Sequence, residues 1–124
     1  MTTAIKRVWF GKGASAELVP AEVIAFCELA NSQTDSRWAD SLPYFISLEI
    51  RKSPKYWKID RIQVNKESGE IEKYGRSSYG SVDFEGNIFK SASYQTVAKG
   101  VRGNVFVNSG ASALSGDGFI RYLK

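Results

Sequence analysis

The residues in this chain whose types and spacing suit a chemical task are cations and aromatic rings. Lys90, Lys99 and Arg102 lie close in sequence around Tyr94, and Arg76 and Tyr79 stand a short way upstream. Such a set fits a polyanion, because Lys and Arg gain affinity for phosphates by releasing counterions and exposed rings stack unpaired bases. The same alternation runs more widely, with Tyr56, Trp57, Tyr74, Tyr79, Phe84, Phe89 and Tyr94 interleaved among Lys55, Lys58, Arg61, Lys73, Arg76 and Lys90. Strand alternation assigns Trp57 and Phe84 to the core and leaves Tyr56, Tyr74, Tyr79 and Tyr94 as stacking platforms. The formal net charge is +4, and residues 54–124 hold all of the excess, with eleven basic groups against seven acidic ones.

Other chemistries are poorly supplied. The 124 residues include no His and a single Cys, so a His/Cys zinc site, a Ser-His-Asp or Cys-His nucleophile pair and an internal disulfide are all excluded. Cys27 falls on an apolar stripe, where a thiol behaves as a small buried hydrophobe. Asp60, Asp83 and Glu85 are the acids that strands could bring together as a magnesium or acid–base site, although cross-strand charge pairing is the simpler reading. The glycine-bearing segments 75–80 and 100–103 lack the lysine spacing of a phosphate-binding loop. The expectation is a non-enzymatic protein with no metal and no organic cofactor.

The elements that must position these groups read as α+β: one main amphipathic helix packed on a small, twisted, mostly antiparallel sheet. Between Pro20 and Ala30, Val23, Phe26, Cys27 and Ala30 recur at helical spacing, and the polar run 31–36 predicts the helix end. From Tyr44 the period becomes 2, which predicts a strand to Arg51 and a partner over residues 56–64. In that partner the apolar phase slips between Trp57/Ile59 and Ile62/Val64, which predicts a bulge or strong bend near Asp60-Arg61. Residues 81–84 and 88–90 flank a tight Glu85-Gly86-Asn87 turn, and segment 75–80 reads as flexible. One domain spans 1–124, divided into a helical part (1–43), an antiparallel sheet (44–107), a flexible Gly- and Ser-rich loop (108–118) and a terminal strand (119–124). No apolar run is long enough to span a bilayer and the first residues lack a signal-peptide pattern, so an intracellular site away from the membrane is expected.

A resemblance narrows the setting. Residues 55–61, then Ser81-Val82-Asp83-Phe84, Asn87 to Tyr94 and Ala98 to Arg102, resemble a group of small uncharacterised proteins of tailed bacteriophages. In that group a KYYKI-type strand precedes a segment like VYKPASWKAPAK; here Ser91, Tyr94 and Val97 replace the usual Pro, Trp and Pro. The resemblance implies a phage protein of the host cytoplasm or the virion and brings no activity with it. Joined to the charge pattern, it gives the expectation of a phage accessory protein that binds nucleic acid, preferably single-stranded. Lys90, Lys99, Arg102 and Arg76 would contact phosphate, and Tyr94 or Tyr79 would stack. The alternative is a phage protein that binds a host or defence protein, or a virion component. A homodimer is also expected, formed by the terminal strand on its flexible tether.

Overall fold

In the computed structural model the described residues are 7–38, 42–91 and 100–121. They form a six-stranded mixed sheet with one main helix, an α+β arrangement. In chain order the elements are β1 (Val8–Phe10), α1 (Ala21–Trp38), β2 (Tyr44–Lys52), β3 (Tyr56–Asn65), β4 (Ser77–Asp83), β5 (Asn87–Lys90), β6 (Gly103–Asn104) and a 3-10 helix (Asn108–Ala113). The strands lie side by side in sequence order, with β1 parallel to β2 and each later pairing antiparallel. The sheet therefore starts well before residue 44. Three residues are too few to show a period, which is why β1 is invisible in the sequence.

Helix α1 starts where expected. Pro20 O accepts Val23 N at 3.0 Å and Ile24 N at 3.3 Å, and a proline at this boundary forfeits no helical bond. Val23, Phe26, Cys27 and Ala30 share one core with Leu48, Ile50, Ile59, Val82 and Ile88 of the sheet. Full burial of each large apolar side chain is worth roughly 1.5–3 kcal/mol. The helix does not stop at Asn31. Asn31 Nδ2 donates to Arg7 O at 2.8 Å, Thr34 Oγ1 donates to Ala30 O at 3.0 Å, and Asp35 pairs with the Arg7 guanidinium. Arg7 also donates to Ile46 O at 2.7 Å, so polar residues that read as a terminator instead clamp α1 to the first two strands. Tertiary partners outweigh weak local propensity here.

The expected bulge sits at the right place along β3 but belongs to its neighbour. β2 and β3 pair without interruption from Tyr44↔Asn65 to Lys52↔Trp57. The register breaks on the other side of β3, where Ile59 faces Gly80 and Asp60 faces Ser78, leaving Tyr79 as the extra residue. The phase slip in β3 has a different cause: Trp57 and Ile59 point to the helix side, whereas Ile62 and Val64 are buried on the opposite face. Residues 77–80 are part of β4, not a flexible loop. Segment 108–118 is also structured, since Ala113 and Leu114 enter the core and Leu114 forms a bridge with Ile120. Ile120 is buried in the core of its own chain, so residues 119–121 of the expected terminal strand pack against that chain, and residues 122–124 lie outside the described residues.

Candidate nucleic-acid interface

Four of the six expected contact residues are described, and the fold engages each of them with its own chain: Tyr79 and Arg102 are buried, Lys90 is half-buried and Arg76 is exposed. Tyr79 is 6% exposed, its hydroxyl donates to Gly118 O at 2.5 Å, and its ring lies 6.5 Å from that of Phe119. The bulge rotates this ring into the core, so it is not a stacking platform. Burial pushes its phenol pKa well up. Lys90 lies opposite Gly80, and its Nζ donates to Ile120 O at 2.8 Å. Burial first, then the nearby Arg102, lowers the Lys90 pKa. Arg102 is 7% exposed, with Nη1 donating to Gly100 O at 2.6 Å and Nε to Arg121 O at 3.3 Å. Tyr79, Lys90 and Arg102 thus converge on main-chain carbonyls of one C-terminal segment. Lys99 and Tyr94 lie outside the described residues.

Arg76 belongs to a separate charged cluster. Its Nη1 donates to Glu49 Oε1 at 2.6 Å and to Asp60 Oδ2 at 2.9 Å, and Arg51 Nε lies 3.5 Å from the same Asp60 oxygen. The hydrogen bond to Glu49 raises the Arg76 pKa, with Asp60 adding to it against the opposing effect of burial. Asp60 is only 1% exposed, so it is no surface charge. The three acids considered as a chemical site are not brought together. Asp83 caps the β4–β5 turn, accepting Glu85 N at 3.0 Å and Asn87 N at 2.9 Å, while Glu85 stands exposed on that turn.

Another pair of lysines, exposed Lys55 and half-buried Lys58, stands at the corner between β2 and β3. Ser53, Pro54, Lys55, Tyr56 and Lys58 line an open groove of about 290 Å³ whose wall, among the described residues, has two lysines and no carboxylate. The corner is braced: Ser53 N donates to Tyr56 O at 2.9 Å, and Ser53 Oγ accepts Tyr56 N at 3.1 Å. Tyr56 meets Phe89 of β5 edge to face, with centroids 5.8 Å apart at 78°. The register puts Tyr56 beside Asp83 and Lys58 beside Ser81, which in turn faces Phe89, so ring and ammonium share one side of the sheet. A second cleft of about 250 Å³ between α1 and Arg7 includes Glu28 and Asp35 and suits a polyanion less well.

No family model, no curated protein and no solved structure matches this chain.

Sequence reasoning had Lys55, Tyr56 and Lys58 in view but ranked them below the later cluster. The useful signal is Pro54, which forces a turn and so exposes Lys55 beside it. Tyr74 is exposed, with Lys73 Nζ 5.4 Å from its ring centre, as expected of a platform. Trp57 is buried as expected, but Phe84 is 50% exposed because β4 ends at Asp83 and alternation no longer governs it.

Proposed function

We propose that this chain is a non-enzymatic phage accessory protein that binds single-stranded nucleic acid in the host cytoplasm, at the β2–β3 corner. The observation that carries the reading is the braced groove in which Lys55 and Lys58 flank Tyr56, while Asp83, the cross-strand neighbour of Tyr56, is committed to the β4–β5 turn. An unpaired base stacks on Tyr56 while the two ammonium groups hold adjacent phosphates, a division of labour common to sequence-tolerant single-strand binders. The resemblance of the second half of the chain to small phage proteins supports the phage setting.

The test is anisotropy of labelled single-stranded oligonucleotides titrated across salt concentration. Two phosphate contacts on a single strand correspond to a log–log slope of about −1.4. Loss of binding to every oligonucleotide at ~50 mM salt overturns the reading, since the electrostatic contribution is then at its strongest. Salt-insensitive capture of a protein would instead favour the host-protein alternative.

A further inference from the structure

Alternate residues of β3, β4 and β5 separate into two sides of the sheet. Trp57, Ile59, Val82 and Ile88 join the core under α1, so Tyr56, Lys58, Ser81 and Phe89 stand on the opposite side. There the register runs Arg51↔Lys58↔Ser81↔Phe89 from β2 to β5, a row with two cations at one end and a ring at the other. Tyr56 reaches diagonally over β4 to Phe89, and Ser81 between them is small enough to let the rings meet. The pair is edge to face, with centroids 5.8 Å apart and planes at 78°, and both residues are half-buried rather than enclosed. The acids on this side are already engaged. Asp83 Oδ1 accepts Glu85 N and Asn87 N and its Oδ2 accepts Asn87 Nδ2 at 3.1 Å, while Glu49 and Asp60 pair with Arg76 and Arg51.

The angle between the rings limits what can bind them together. Successive bases of a duplex, or of a self-stacked single strand, lie parallel to one another. Rings at 78° cannot both lie flat against two such bases, so a strand that uses both must unstack at that step. Unstacking costs less between pyrimidines than between purines, whose larger faces hold one another more firmly. Given the single-strand reading of the β2–β3 corner, on which this rests, we infer that Phe89 is a second stacking platform of that site. The ring pair selects an unstacked, pyrimidine-rich strand, with one base on Tyr56, the next on Phe89, and the phosphates on the lysine side of Tyr56.

The experiment is anisotropy of labelled oligodeoxythymidylate and oligodeoxyadenylate of equal length, titrated with the full chain at one low salt concentration. The thymidylate strand is expected to bind about threefold or more tighter. Phe89→Leu, which keeps an apolar side chain against Tyr56, lowers affinity for that strand about fivefold or more, the low end for loss of one stacked base. It also removes the preference between the strands and leaves the salt slope unchanged, because no phosphate contact is lost. Phe89→Trp keeps a stacking face and keeps the preference, which separates stacking from packing, and far-UV circular dichroism confirms that each variant is folded. Equal affinity for the two strands, tighter binding of the adenylate strand, or a Phe89→Leu variant that retains the preference overturns the inference and leaves the corner reading in place. Failure of either strand to bind at all removes both.

Discussion

Lys90 and Arg102 on one side of the sheet and Lys55 and Lys58 at the β2–β3 corner carry the same charge and stand near similar rings in the sequence. The fold treats them differently because of what lies beside each pair. The C-terminal segment crosses the sheet edge with one bridge of its own, Leu114↔Ile120, and its carbonyls need donors. Tyr79, Lys90 and Arg102 supply them at Gly118, Ile120 and Arg121. At the corner, Ser53 and Tyr56 satisfy one another across the turn, and the lysines face the groove.

Substitutions at the inward groups should therefore register as stability and those at the outward groups as binding. The largest effect is expected at Asp60. Asp60→Ala leaves Arg51 and Arg76 without their shared carboxylate and should cost about 3 kcal/mol, the low end for breaking a buried ion pair because both arginines keep some access to water. Urea unfolding measures it. A loss below ~1 kcal/mol would place Asp60 among ordinary surface charges and blur the distinction.

Next in size is Gly118→Ala. Gly118 has φ +94°, and an added Cβ would collide with Thr34 Oγ1 and come within 2.8 Å of Ala30 O on α1. Strain plus displacement of the C-terminal segment should cost about 2 kcal/mol, seen as a lower melting temperature. If the segment were loosely attached, the substitution would be nearly neutral.

These two residues also show how far the sequence could be read. Asp60 was visible as an acid on a strand, but its burial depends on Arg76, which the register brings across from β4's approach after an irregular connection. Periodicity cannot report such a meeting. The helix start, the Tyr44 strand and the Glu85-Gly86-Asn87 hairpin were legible because Pro20, strict alternation and the Gly turn each act locally. The extension of α1 through Asn31 and Thr34, the three-residue β1 and the ordered segment 108–113 were not, because each is held by partners distant in sequence. The same limit hid the candidate groove: only the closed C-terminal segment reveals that Lys90 and Arg102 are engaged.

A smaller effect is expected at Tyr79. Tyr79→Phe removes the hydrogen bond to Gly118 O and should cost about 1 kcal/mol at neutral pH, with no change in nucleic-acid affinity. The variant should also differ in its pH response. The folded pKa of Tyr79 is raised above the ordinary tyrosine value of about 10, so the unfolded chain loses its proton first and wild-type stability falls as pH rises through that region. Tyr79→Phe should lessen that alkaline loss, which thermal melts at neutral and high pH would reveal. An affinity loss in this variant would return Tyr79 to the binding surface.

Smallest in stability, and central to the account, are Lys55 and Lys58, where Gln substitutions should change unfolding free energy by no more than about 0.5 kcal/mol. The deciding measurement is single-strand oligonucleotide affinity, across salt, for Lys55→Gln with Lys58→Gln against Lys90→Gln. The corner variant should lose most of its affinity and flatten the salt slope by about 1.4, while Lys90→Gln keeps both. The reverse pattern, with Lys90 governing affinity and the corner variant binding as wild type, would contradict it.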